Sequence, residues 1–331
     1  MGTAADLLLL VLGIGLLLGG GELVVRGAAD LARSMGVSSL VVGLTVVAFG
    51  TSAPELAVNV TAAWVEKTAL SFGNIFGSNM ANIGLVVGLT ALVRPIAISR
   101  IVAAREIPIM IFVTLLAVLM AMDLTLRGVA DQYDRRDAVI LLGSFLLFMY
   151  LTLRGMASER VLQMERTERV WNGGLLPKGA VRDLLLTLGG IVVLVIGARI
   201  TVGVAVEVAR DLGVPEVLVG LTLIAVGTSL PELVTALVAT VHGEIDIAIG
   251  NVVGSNVFNV LLVGGATAAI HPIPIPQLGH ADLAMASFLA LALLWVSISF
   301  RRTIVRIEGG ILLAVYCAYL VWRSGGSVGA F

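Results

Sequence analysis

Apolar residues run in ten blocks of about 20, each long enough to cross roughly 30 Å of hydrocarbon as a helix. The blocks fall at about 5 to 26, 38 to 65, 72 to 93, 103 to 122 and 137 to 154, then at about 183 to 204, 215 to 241, 247 to 268, 281 to 299 and 303 to 323. A polar stretch from Arg154 to Arg182 separates the two sets. The pattern predicts an all-α polytopic membrane protein of ten transmembrane helices, five on either side of a linker. The expected division is a first repeat over residues 1–155, a linker over 156–180 and a second repeat over 181–331. An odd number of crossings per half turns the second half upside down relative to the first, so the repeats are expected to be inverted in topology.

The repeat is visible in the residues. Gly43 to Thr90 returns without a gap as Gly220 to Thr267, a shift of 177 positions. About 21 of about 48 aligned residues are identical, and the matches fall on polar residues and glycines as well as on the apolar background. Thr51, Ser52, Pro54, Glu55, Gly73, Asn74, Gly77, Ser78, Asn79 and Asn82 each meet their own kind in the second copy. A shared hydrophobic background would match Leu with Val, not Asn with Asn.

Composition agrees with immersion in lipid: 58% of residues are apolar, 13% are charged, and mean hydropathy is +1.04. A net charge of -1 with no basic run gives no sign of a nucleic-acid partner. Cys317 is the only cysteine, which rules out an intrachain disulfide or a thiolate cluster. The first apolar block lacks a preceding basic residue and a small-residue cleavage site, and is expected to stay as a helix. Loops after helices 1, 3, 5, 7 and 9 carry about 14 Lys and Arg against about seven on the other side. By the positive-inside rule both termini face outward and the linker is cytoplasmic. The mixed charges of that linker, Glu159 to Arg169, read as a solvated face or as a regulatory cation site.

Each repeat places a proline inside a span, Pro54 in GTSAPE and Pro231 in GTSLPE. Proline removes a backbone donor and clashes with the preceding turn, so both helices should break there. Freed carbonyls and the Thr and Ser hydroxyls then converge, which lipid tolerates only around a protein-lined polar locus. Beside each break lies a carboxylate, Glu55 or Glu232. A charge at that depth costs at least about 2.5 to 3.5 kcal/mol, and helices 2, 3, 7 and 8 offer no Lys or Arg at a similar depth. A proton or a bound cation must neutralise it. The next helix of each copy, GNIFGSNMAN or GNVVGSNVFN, aligns Asn74, Ser78 and Asn82, or Asn251, Ser255 and Asn259, along one face. Gly73, Gly77, Gly250 and Gly254 allow close helix approach. The donors are all hard oxygens, suited to Ca²⁺ or Na⁺ and unsuited to Zn²⁺ or Cu⁺. The other reading of the same pattern is helix-packing glue.

At these motifs the chain resembles the cation/calcium exchanger superfamily, specifically its prokaryotic sodium/calcium exchangers. The resemblance covers both repeats and, through the ten-helix pattern, nearly the whole chain. It implies a core of helices 2, 3, 7 and 8 holding a diamond of four cation sites, across which the long helices 1 and 6 slide to alternate access. It implies Na⁺ entry driving Ca²⁺ export, typically about three for one. By position, the central Ca²⁺ site would use the Glu55 and Glu232 carboxylates and the Thr51 and Thr228 carbonyls. Flanking Na⁺ sites would use Ser52, Ser78, Ser229, Ser255 and the carbonyls of Ala48 and Ala225, with Asn82 near the centre. Asn259 departs from relatives that carry Asp there, which leans against K⁺ cotransport and bears on occupancy of the middle site.

The expected function is a secondary antiporter of the cell (inner) membrane exchanging Na⁺ for Ca²⁺. The runner-up is a Ca²⁺/H⁺ exchanger whose glutamates carry protons, and a passive cation channel comes behind it. No enzyme and no cofactor are expected, since Ca²⁺ and Na⁺ are cargo. GGSVG near the C-terminus matches GxSxG without its strand-to-helix setting, and HExxH is absent. Glu22 and Arg199, equivalent under the same shift, read either as a latch between helices 1 and 6 or as side chains reaching for the interface. His242, His271 and His280 receive no role.

Overall fold

The computed structural model describes residues 3–123, 125, 128, 130–167, 179–211, 225–299 and 302–328. The opening of the second motif copy (220–224), the start of the seventh apolar block and linker residues 168–178 lie outside them. The described chain is almost wholly helical. It comprises α1 (Thr3–Met35), α2 (Ser39–Thr51), α3 (Ala53–Trp64), α4 (Ala69–Val93), α5 (Val102–Met120), α6 (Arg135–Thr167) and α7 (Ala180–Asp211). The short turn α8 (Ala225–Thr228), α9 (Leu230–His242), α10 (Ile245–Ile270), α11 (Gly279–Ile298) and α12 (Arg306–Val328) follow. Among the described residues eight helices have the length and hydropathy of membrane spans, and the bent pair α2 and α3 makes a ninth.

Burial sorts the spans into a centre and a rim. The most apolar window of α10 is 94% buried and that of α4 is 78% buried, whereas those of α1 and α7 are 33% and 28% buried. The rim helices turn Leu8, Val11, Leu12, Leu185 and Val192 outward. In water such a surface would aggregate; in a bilayer it is the solvent-facing side. The inner helices are therefore free to carry polar groups on faces that meet only protein.

α1 and α7 pack against each other along a glycine seam. Gly13, Gly20 and Gly27 on α1, and Gly190 and Gly197 on α7, recur every seventh residue. A Cβ on Gly20 would stand 2.5 Å from the Leu194 amide nitrogen, and one on Gly197 would stand 2.6 Å from that of Leu17. The two contacts are the same contact read from opposite ends, since Leu17 and Gly20 map onto Leu194 and Gly197 under the 177-residue shift. Backbones meet there directly, with no side chain interposed.

Four two-residue strands tie the loops together. β1 (Ile96–Ala97) pairs antiparallel with β4 (Thr303–Ile304), placing Ile96 opposite Ile304. β2 (Gln132–Tyr133) pairs with β3 (Ile273–Pro274), placing Tyr133 opposite Ile273. Each pair draws one strand from either half, so the two halves are interleaved rather than side by side.

Three long helices exceed their apolar blocks, α6 by running on to Thr167. α1 continues to Met35 and α7 to Asp211, through Asp30 and Arg33 in one and Glu207 in the other. Hydropathy falls where a helix leaves lipid, and the backbone ladder does not.

Gly197→Leu should disrupt this seam, because no rotamer moves a Cβ away from a neighbouring backbone. Overpacking of this kind costs about 1 to 3 kcal/mol, read as a lower midpoint of thermal unfolding in detergent. Gly189→Leu, where a Cβ meets nothing within 4 Å, should leave the midpoint unchanged.

Candidate cation site

The prolines break their helices as chain chemistry requires. Pro54 lacks the N–H that would satisfy the Gly50 carbonyl, and Pro231 likewise leaves Gly227. α2 stops at Thr51 and α3 leaves at 43° to it. Ser52, in the joint, has φ −85° and ψ 0°. Ser229, in the equivalent joint before α9, has φ −89° and ψ 3°. Two breaks far apart in the chain adopt one geometry.

Opposite the breaks, α4 and α10 each change from α-helical to wider i→i+5 turns, over Asn82–Val87 and Asn259–Gly264. Both wide turns begin on the asparagine that closes its motif. Such insertions re-aim side chains and cluster where proteins do chemistry. α10 reaches the break through its glycines: a Cβ on Gly250 would lie 2.8 Å from the Leu40 carbonyl oxygen, and one on Gly254 would lie 2.8 Å from that of Leu44. The segment that Gly73 and Gly77 would meet by equivalence lies outside the described residues.

The two halves exchange hydroxyls across the centre. Thr51 Oγ1 lies 3.3 Å from Ser255 Oγ, and Ser78 Oγ lies 3.4 Å from Thr228 Oγ1. The second pair is the first with the halves interchanged. Thr51 also donates to Asn251 Oδ1 at 3.0 Å. Nearer the middle, Asn79 donates to the Asn256 carbonyl at 3.2 Å and accepts from Asn259 Nδ2 at 3.1 Å. Asn79 and Asn256 are equivalent residues, so they mark where the halves meet.

Glu55 and Glu232 sit inside this ring, each 1% exposed. The two carboxylates repel one another electrostatically across the centre. Thr228 and Ser78 flank Glu55, while Thr51, Ser255 and Ser52 flank Glu232. None of the four carboxylate oxygens completes a hydrogen bond. Ser52 Oγ, Ser229 Oγ, both amide atoms of Asn82 and Asn259 Oδ1 are buried and equally unpartnered. Buried polar groups are normally paired, and here the unpaired ones are predominantly acceptors gathered around two acids. A proton on a carboxylate, or a cation without directional preference, can satisfy them.

Of the predicted residues, Thr51 meets Ser255 and Ser78 meets Thr228, with Glu55 and Glu232 beside them. Glu55, Glu232, Thr51, Thr228, Ser52, Ser229, Ser78, Ser255, Asn82 and Asn259 all come from the breaks or the wide-turn helices. The Ala48 carbonyl already accepts from the Ser52 N–H at 3.0 Å and lies 3.4 Å from Thr51 Oγ1, an alternative to Asn251 for that hydroxyl's one proton. Ala225 opens α8 at the equivalent place in the second half. Asn79 was legible only as an identity between the motif copies, and its cross-centre bonds give that identity a cause. Glu22 pairs with Arg26 and, at 3.1 Å, with His242. Arg199 is not among its partners in the described residues, so Glu22 ties α1 to the end of α9 rather than to α7.

Long apolar helices around a sealed, acid-bearing centre define the class: an integral membrane protein of the transporter type. The chain belongs to the sodium/calcium exchanger protein family, whose model matches residues 6–154 and 183–325. It is 36% identical to the putative antiporter CaxA of Alkalimonas amylolytica, over 93% of this chain and 95% of that one. It is 32% identical to the sodium/calcium exchanger MaX1 of Methanosarcina acetivorans, over 96% of this chain and 97% of that one. A solved structure of the sodium-calcium exchanger NCX_Mj superposes with a TM-score of 0.81 at 27% identity, covering 96% of this chain and 98% of the other.

Asn79→Leu should leave the Asn259 amide without its acceptor and the Asn256 carbonyl without its donor. An unmade buried hydrogen bond costs about 1 to 3 kcal/mol. The measurement is the thermal midpoint in detergent without added Na⁺ or Ca²⁺, where the variant should melt below the wild type.

Proposed function

We propose that this protein is a secondary antiporter that exchanges Na⁺ for Ca²⁺ by alternating access. The observation that carries the reading is the pair of fully buried glutamates whose four carboxylate oxygens lack partners among neutral oxygen donors from both halves. Two negative charges match one Ca²⁺, a cation that takes six to eight oxygens at roughly 2.3 to 2.6 Å. Na⁺ ions covering the same oxygens match the charge in a different way. The two loads compete, and crossing is favourable only when the acids are covered. The sodium/calcium exchangers MaX1 and NCX_Mj support this choice of ions.

The reading extends to architecture. Ten helices form two inverted five-helix repeats, residues 1–155 and 181–331, joined by a cytoplasmic linker over 156–180. The reciprocal contacts Thr51 with Ser255 and Ser78 with Thr228, and the swapped strand pairs, support a two-fold relation in the membrane plane. Glu55, Glu232 and the Thr51 and Thr228 carbonyls hold Ca²⁺. Ser52, Ser78, Ser229, Ser255 and the Ala48 and Ala225 carbonyls serve Na⁺, with Asn82 and Asn259 lining the middle. α1 and α7 slide as a unit along the core, their side-chain-free seam keeping them together. Exchanging about three Na⁺ for one Ca²⁺ moves one net charge, worth about 2.3 kcal/mol per 100 mV.

Proteoliposomes loaded with Na⁺ should take up Ca²⁺ when diluted into Na⁺-free medium, and Glu55→Gln or Glu232→Gln should abolish the uptake. Ca²⁺ at about 100 times its Kd should stabilise the wild type by about 2.7 kcal/mol, a thermal shift that both variants lose while remaining folded. Uptake indifferent to Na⁺ but following an imposed pH gradient would replace this reading with Ca²⁺/H⁺ exchange. Flux without any counter-ion would replace it with a channel.

A further inference from the structure

We infer that Asn59, Ser71 and Asn74 form a way station for a partly hydrated alkali cation, one helical turn from Glu55 toward the 65–68 turn. The inference rests on the exchange reading. Asn59 follows Glu55 by four residues on α3 and so shares its face. Its Nδ2 donates to the Glu55 carbonyl at 2.7 Å and to Asn74 Oδ1 at 2.6 Å. An amide has two N–H donors, and both are spent in fixing its orientation. Oδ1 is what remains, buried and without a donor. Ser71, three residues before Asn74 on α4, presents a second buried oxygen without a partner. Asn59 and Ser71 are each 1% exposed while Asn74 is half-buried, so the group leads from the sealed acids toward the surface.

Neutral oxygens alone set the ligand class. A divalent ion stripped of water needs carboxylates to offset its desolvation, whereas Na⁺ keeping part of its hydration shell is served by amide and hydroxyl oxygens. The arrangement is also one-sided. The equivalents of Asn59 and Ser71 under the 177-residue shift are Ala236 and Ala248, and the buried Thr235 hydroxyl sits one residue off that register. The station therefore acts on ions entering from the face that carries the 65–68 turn, and not on ions from the opposite face.

The test is Na⁺-dependent Ca²⁺ flux in right-side-out and inside-out membrane vesicles, with half-saturating Na⁺ measured at each face. Asn59→Ala combined with Ser71→Ala should raise that concentration roughly three- to tenfold at the face of the 65–68 turn. The other face and the half-saturating Ca²⁺ should stay within about twofold. Asn59→Ser, which keeps an oxygen, should shift less than Asn59→Ala. Ala236→Asn supplies an independent arm and should lower half-saturating Na⁺ at the opposite face. Equal shifts at both faces, or none, would overturn the station while leaving exchange intact. A wild type whose Ca²⁺ flux ignores Na⁺ would overturn the exchange reading and this one with it.

Discussion

Two like charges held in a dry interior are the constraint from which the rest of the structure follows. Burying one carboxylate away from a cation is costly, and burying two that repel each other is more so. The fold supplies no basic partner: among the described residues the ion pairs lie elsewhere, on α1, α5 and α7, at the end of α9, and on α11 and α12. An internal Lys or Arg would have made a stable core with no need of an external ion. Leaving the acids unpaired makes the folded state depend on what it captures. A transporter needs that dependence, since an ion-free centre must be unfavourable if the empty protein is not to cross.

The second requirement is that the surroundings tolerate such a centre. The breaks at Pro54 and Pro231 loosen the backbone where lipid would forbid it, and the wide turns at Asn82 and Asn259 aim side chains inward from the facing helices. The two innermost spans, α4 and α10, insulate the site, and the apolar rim insulates them. Aromatic packing fills the interior around these spans, with Phe258 of α10 edge-on to Phe145 and Phe148 of α6 and Phe72 against Phe76 within α4. Polarity therefore decreases outward in shells, the reverse of a soluble protein.

Much of this was legible because the chemistry is written twice. Glu55 and Glu232 could be singled out because a mid-span acid beside a proline is improbable once and more so at a matching position 177 residues later. What the repeat could not reveal is which residues touch. Equivalent residues meet only close to the axis relating the halves, as Asn79 and Asn256 do. Glu22, far from it, pairs with Arg26 and His242 rather than with Arg199. The reciprocal pairing of Thr51 with Ser255 and Ser78 with Thr228 needed the crossing of four helices, which no spacing along one strand of sequence encodes. Helix ends were missed for a different reason: α1 and α7 run past their apolar stretches because hydrogen bonding within a helix is indifferent to the solvent outside it.

Symmetry of the centre and asymmetry of its approaches serve different ends. Under the proposed exchange, an ion held between equivalent glutamates would see nearly the same ligands whichever side last admitted it, so the centre itself would do little to favour one direction. Departures from equivalence accumulate away from it. α1 is tied to the end of α9 and the following turn by Glu22 with His242 and by Arg33 with Glu244 at 3.5 Å. The equivalents of His242 and Glu244 beside the 65–68 turn are Val65 and Lys67, which offer α7 neither an imidazole nor an acid. These ties lie near the surface and are individually weak, and under the proposed alternating access each would act on one state more than on the other. Small one-sided contacts are enough to bias two nearly equivalent conformations, because the shared core contributes almost equally to both.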